Sequence, residues 1–299
     1  MKIRPKFAIA KLNRRFFLTA TGSFVTSLIF ASCRTTGSQS PTTTSTTTST
    51  TANTSPAAPE KNTLKVGVWF FVAEDILKFI QENLASSENL KIQIVKFNDW
   101  ILPNTALRDR EIDANLFQNR PFMQDSAKKL KVNLVQLNLC YLTPMGIYSN
   151  RHKSLSTLPS EARIAIPSDA TNGDRGLKLL AANGLLQLKD TPSGLATVKD
   201  ITKNPKNLQI KEIEGPTLAR AIDDLDLSVF ATSVRLQAGL NLQPLVQESA
   251  AAKRYAVGLV TLQGKENDPR IQQLNRLINH PKVRDFIQQK YQGSVLAVF

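Results

Sequence analysis

An α/β fold built as two modest domains is what the sequence predicts for residues 63–299 of this 299-residue chain. The segment is long enough for two separate cores. Short apolar runs alternate along it with stretches whose apolar residues recur at helical spacing. Such alternation makes mostly parallel sheets, with binding sites at the carboxyl ends of the strands. Residues 64–69 read as the first strand, and 73–84 as a helix carried by Ile76, Leu77, Ile80 and Leu84. Strands follow at 92–97, 112–117 and 132–139, separated by a helix within 102–109 and another over 122–130. Beyond these, strands are predicted at 163–166, 208–213, 227–230 and 255–261, and helices at 172–183, 217–223, 271–278 and 283–291.

Before the body stands an export segment. Lys2, Arg4, Lys6, Lys11, Arg14 and Arg15 come first with no acidic residue. An apolar stretch over 16–31 follows, and the small pair Ala31-Ser32 precedes Cys33. That order is the pattern of a cleaved secretory signal over residues 1–32. It resembles a bacterial lipoprotein signal, in which the cysteine is acylated and becomes the mature N-terminus; Phe30 departs from the usual leucine. A spanning helix needs about 20 predominantly apolar residues, and Thr19, Thr21, Gly22, Ser23, Thr26 and Ser27 dilute this run. Asn13-Arg14-Arg15-Phe16-Phe17-Leu18 looks like a twin-arginine signal, with the general secretory route as the alternative. After Cys33, residues 34–62 are a Ser/Thr-rich tether with no apolar periodicity, expected to be disordered. Its 29 residues reach about 30 Å as a flexible coil. The expected location is the extracytoplasmic or periplasmic face of the cell membrane, held by lipid.

Removing the signal changes the charge. The chain carries +14, residues 1–32 hold +6 of it, and +8 remains on the mature protein. No dense Lys/Arg block with interleaved aromatics occurs, which argues against nucleic-acid binding. With Cys33 acylated, Cys140 stands alone, so no intrachain disulfide forms; within a predicted strand it reads as a small buried apolar group. His152 in the polar turn 150–153 and His280 before Pro281 read as solvated loop residues. Neither supplies a metal site with Cys140. The chain has no Gly-x-Ser-x-Gly elbow, phosphate loop or His-Glu-x-x-His. A non-enzyme without cofactor or metal is expected.

Several blocks in order carry a family resemblance: residues 97–104 (Phe-Asn-Asp-Trp-Ile-Leu-Pro-Asn), 112–118 (Ile-Asp-Ala-Asn-Leu-Phe-Gln), 166–172 (Ile-Pro-Ser-Asp-Ala-Thr-Asn), 204–208 (Asn-Pro-Lys-Asn-Leu) and 290–293 (Lys-Tyr-Gln-Gly). The body resembles the NlpA/MetQ family of substrate-binding lipoproteins, which serve methionine importers of the ATP-binding-cassette (ABC) type. The resemblance implies a two-lobed periplasmic-binding-protein fold of type II, with two mixed sheets flanked by helices. Lobe I would comprise 63–143 plus 256–299 and lobe II 144–255, with residues 143–148 and 255–259 as hinge crossings. It also implies a monomer that captures methionine or a related small carboxylate and delivers it to an ABC permease. The alternative is a surface lipoprotein, sensor or adhesion module, on the same fold.

Arg175 is the leading site residue. It is expected in the first turn of the helix after strand 163–166, preceded by Thr171-Asn172-Gly173-Asp174. Free N–H groups at a helix start and a guanidinium fork would together make a carboxylate socket, and the family's matching arginine holds the ligand carboxylate. Phe117 ends a strand, and Trp100 matches a family tyrosine; both are expected as walls around an apolar side chain. Sulfur-to-ring contacts there contribute about 0.3–1.5 kcal/mol each. Trp69, Phe70 and Phe71 replace a family Gly-Pro turn and are expected to add bulk to the cleft. Departures from the methionine pattern cluster here. Asn119 stands for a histidine, Phe122 for a tyrosine, Thr143 for a tyrosine, and Ala231 and Val257 for two asparagines that hold the amino-acid head group. A changed ligand is the consequence expected of that lost polar shell.

Overall fold

The computed structural model describes residues 62–191, 194–249 and 251–299. The predicted signal, Cys33 and the tether up to residue 61 lie outside the described residues. The body opens with β1 (Thr63–Val68), in which Leu64, Val66 and Val68 are buried. α1 (Phe71–Asn83) then covers the sheet with Val72, Ala73, Ile76, Leu77 and Ile80, one apolar stripe at helical spacing. There follow β2 (Lys91–Lys96), α2 (Leu102–Arg108), β3 (Ala114–Asn115), α3 (Arg120–Leu130) and β4 (Leu134–Leu142). At Thr143-Pro144 the chain passes into a second sheet, beginning with β5 (Met145–Tyr148). There it forms β6 (Arg163–Pro167), α4 (Ala170–Ala182), a small antiparallel pair β7 (Gln187–Leu188) and β8 (Ile201–Lys203), then β9 (Gln209–Ile213), β10 (Leu227–Ala231), α5 (Thr232–Gln237) and β11 (Val246–Gln247). The return leads to β12 (Val257–Leu262), α6 (Pro269–Leu277), α7 (Pro281–Tyr291) and β13 (Leu296–Ala297).

The first sheet has the order β13-β4-β12-β3-β1-β2 and the second β11-β5-β10-β6-β9. Each organises its own core, giving a two-lobed α/β fold. Both sheets are mixed. β1 runs parallel to β2 and β3, and β6 to β9 and β10, but β4, β5 and β12 pair antiparallel with their neighbours. Mixed sheets are what the family resemblance implies; the mostly parallel sheets suggested by alternation alone give way at the strands beside the crossings, which run against the βαβ units, because apolar period does not encode strand direction.

Helix starts follow local chemistry. Asn119, Asp169, Asp268 and His280 accept backbone N–H groups at the starts of α3, α4, α6 and α7, and a proline occupies one of the first two positions of α3, α6 and α7. The predicted helix at 217–223 is instead two 3-10 turns, Gly215–Thr217 and Ile222–Asp224. Its backbone bonds run mainly to the third preceding residue, which satisfies the chain without an α-helical ladder. The strand expected over 112–117 shortens to β3. Outside it, Asp113 turns its carboxylate to the N–H of Lys65, and Gln118 enters a side-chain network. Sequence reading assigned no helix at α5. His152 is not solvated: its Nε2 lies 3.3 Å from Asp226 Oδ1 and it is half-buried. His280 caps α7 through Nδ1, which accepts from Lys282 N. Cys140 is buried, and desolvation pushes its thiol up, away from reactivity.

Candidate functional site

One cavity gathers the residues singled out in the sequence. Trp69, Trp100, Phe117, Asn119 and Phe122 line it from the side of the first sheet, and Asn172 and Arg175 from α4. Phe70 also lines it, but Phe71 does not; Phe71 packs on Phe70 and Tyr291 instead. Trp69 directly follows β1, Pro167 ends β6 and Ala231 ends β10, so strand carboxyl ends converge on the cavity. The space between the walls is about 610 Å³, part of it open to solvent.

The aromatic wall is rigidly held. Asp99 Oδ1 accepts the N–H groups of Ile101 and Leu102 at 2.7 and 2.8 Å, fixing the turn that projects Trp100. Asn104, Asn115 and Gln118 form a buried amide network, with bonds of 2.6 to 3.0 Å, beneath the Phe117 segment. The rings meet edge to face: Trp69 with Trp100 at 5.2 Å and 87°, Trp100 with Phe122 at 6.1 Å and 89°, and Phe117 with Phe122 at 6.1 Å and 80°. That arrangement is the favoured one for ring quadrupoles. Across the cavity, Trp100 lies against Gly215, where a β-carbon would fall 1.9 Å from its Cη2. Only glycine admits the indole there.

Arg175 sits in the second turn of α4, because the helix begins at Ala170, earlier than predicted. The helix start is not a set of free donors either. Asp169 Oδ1 takes the N–H and side-chain amide of Asn172 and the Thr171 hydroxyl. What fixes Arg175 is Glu248, which the sequence reading missed. Arg175 Nε donates to both Glu248 oxygens at 2.9 and 3.1 Å, and Nη2 to Oε2 at 2.5 Å and to the Thr143 carbonyl at 3.2 Å. The Tyr255 ring covers the guanidinium at 4.4 Å from its centroid, a cation–π contact. Burial pushes the Tyr255 phenol up. Glu248 also accepts the Met145 N–H at 2.8 Å. Among the described residues Nη1 has no hydrogen bond, which leaves one edge of the fork for a ligand on the cavity side.

Much of the remaining polarity is already engaged. Asn119 caps α3 by accepting from Phe122 N at 3.0 Å, and Thr143 Oγ1 donates to Ser233 Oγ at 3.5 Å. Ala231 and Val257 add apolar surface. Among the described residues no Asp or Glu lines the cavity, and no group of three His, Cys, Asp or Glu could hold a metal. One cation, few free dipoles and a ring of aromatics suit reversible binding of a small ligand with an acceptor end and an apolar body.

Two lobes with such a cleft between them define a ligand-binding protein. The chain belongs to the NlpA lipoprotein family, whose sequence profile matches residues 64–299. The D-methionine-binding lipoprotein MetQ of Escherichia coli strain K12 is 38% identical over 183 residues, covering 60% of this chain and 68% of that one. The probable D-methionine-binding lipoprotein MetQ of Vibrio cholerae is 31% identical over 243 residues, 80% and 89% of the two chains. Among solved structures, a nutrient-binding protein from Burkholderia cenocepacia bound to methionine superposes with a TM-score of 0.76 at 33% identity, covering 79% of this chain and 100% of its own. Lipoprotein Tp32 from Treponema pallidum gives 0.75 at 30%, over 80% and 100%.

Proposed function

We propose that this protein is the substrate-binding lipoprotein of an ABC importer, holding methionine or a related small carboxylate in the cleft and handing it to a permease as a monomer. Arg175 carries the reading: a buried guanidinium, oriented by Glu248 and Tyr255, presents its free edge to an aromatic-walled space. The ligand carboxylate meets Arg175 beside Asn172. Its apolar part lies among Trp69, Trp100, Phe117 and Phe122, and Asn119 holds the α3 corner of the wall. The methionine ligand and the importer role follow from the relatives. Lobes of 63–143 plus 256–299 and of 144–255, with hinges at the two crossings, agree with which strands join which sheet. A thermal-shift panel of amino acids, dipeptides and sulfur compounds tests the function; no stabilisation by any carboxylate ligand would refute it.

Ala231 and Val257 favour a second reading, a sensor or adhesion lipoprotein with a changed ligand, because both face the cavity where amides would hold an amino-acid head group. Wild-type affinity for methionine is accordingly expected to be weak. Each restored hydrogen bond contributes about 0.5–1.5 kcal/mol, so Ala231→Asn with Val257→Asn is expected to tighten methionine binding about tenfold. Calorimetry checks it, and tight binding by the wild type would show the amides to be dispensable.

Anchoring at the extracytoplasmic face of the membrane is assigned to acylated Cys33, after export by the twin-arginine or general secretory route. Two acyl chains hold stably where one does not. Cys33→Ala is expected to abolish incorporation of labelled fatty acid; equal label in the variant would contradict the anchor.

A further inference from the structure

Arg235 is a buried cation without a counter-ion among the described residues. Its exposure is 8%, and it makes no ion pair among the described residues. Nη1 donates to the Leu240 carbonyl at 3.3 Å and Nη2 to Ser294 Oγ at 3.1 Å, both neutral acceptors. Nε, buried too, has no hydrogen-bond partner among the described residues, and the Tyr148 phenol nearby adds only another neutral group. Arg175, equally buried, shows the usual solution, a carboxylate in bidentate contact. Charges removed from water are normally paired, because an isolated one forfeits its hydration without compensation.

The side chain lines a second pocket of about 500 Å³, in part open to solvent. Gln243, Gln247, Gln292 and Ser294 line it beside Tyr148 and Thr232, and among the described residues no Asp or Glu does. Neutral donors around a lone guanidinium make a receptor for a small anion, since each can donate a hydrogen bond to oxygen without adding competing negative charge. The pocket is distinct from the ligand cleft but shares α5 with it. Ser233 and Val234 face the cleft, and Thr232 and Arg235 the second pocket. Its opposite wall is the turn between α7 and β13, where Gly293 takes a left-handed φ of 86°.

We propose that this pocket binds a small oxyanion, with Arg235 as its charged anchor and the three glutamine amides as neutral donors. Phosphate, sulfate and carboxylate share the required chemistry. The test is thermal unfolding of the full-length protein at constant ionic strength, titrating sodium phosphate, sodium sulfate or sodium acetate against sodium chloride. A ligand that binds only the folded state raises the melting temperature in a saturable way. Saturable stabilisation by at least one oxyanion is expected in the wild type and in Arg175→Gln, and its loss in Arg235→Gln. Stabilisation by phosphate or sulfate alone identifies a tetrahedral oxyanion; by acetate alone, a carboxylate. The double variant Gln243→Leu with Gln247→Leu keeps the cation and removes two donors. Its half-saturating concentration is expected to rise about fivefold or more, which serves if Arg235→Gln does not fold. No stabilisation of the wild type, stabilisation surviving in Arg235→Gln, or a half-saturation unchanged in the glutamine double variant would each overturn the proposal.

Discussion

Arg175→Ala is expected to weaken ligand binding about 30-fold or more, because losing a buried, charge-assisted carboxylate contact costs about 2–5 kcal/mol. The same change strikes stability through Glu248. That carboxylate is mostly buried and, without Arg175, keeps only the Met145 N–H as a partner. Breaking one side of a buried pair costs about 3–5 kcal/mol, whereas removing both sides is far milder. Arg175→Ala with Glu248→Ala is therefore expected to regain most of the lost stability and none of the binding. Arg175→Lys rescues binding only in part, since an ammonium offers a point charge where the guanidinium offers a fork. Urea unfolding and calorimetry on the three variants separate the effects. Undiminished binding in Arg175→Ala would place the ligand's carboxylate elsewhere.

Gly215→Ala carries the second large effect. The added β-carbon would fall 1.9 Å from Trp100 Cη2 and 2.4 Å from Cζ3, well inside any tolerable contact. The indole cannot retreat freely, because Trp69 and Phe122 meet it edge to face. Overpacking of this kind costs about 1–3 kcal/mol. Here it falls on a contact between the two cleft walls, so the closed arrangement bears the cost and affinity is expected to drop about tenfold. Trp100→Phe in the Gly215→Ala background is expected to restore much of that loss, giving a coupling energy of about 0.5–3 kcal/mol in a double-mutant cycle. Independent, additive effects would show that the indole does not rest on Gly215 in solution.

Both predictions join residues that are distant in the chain, which marks where sequence reading stopped. Local patterns identified β1, α1, β2, α3, α4, α6 and α7 to within a few residues, because apolar period, capping side chains and prolines act over one or two turns. Of the residues proposed for the site, the family blocks hold Trp100, Phe117 and Asn172, while Trp69, Asn119, Phe122 and Arg175 lie outside them. Glu248 carried no signal: it lies in a polar stretch 73 residues from Arg175, and the pairing exists only because β11 lies beside β5 in the second sheet. Gly215, just before the predicted helix at 217–223, carried no signal of its contact with Trp100.

By itself, the sequence pointed to an α/β body and the lipoprotein family, and it offered an arginine and several aromatics as candidates for the site. These follow from short-range periodicity and contiguous motifs. Tertiary structure alone decided which strands run antiparallel, that Arg175 is held from behind by a carboxylate, that Trp100 needs a glycine opposite, and that Arg235 is buried without a counter-ion among the described residues. Each of these depends on which side chains meet across sheets and across the cleft, and such meetings are set by packing rather than by spacing along the chain.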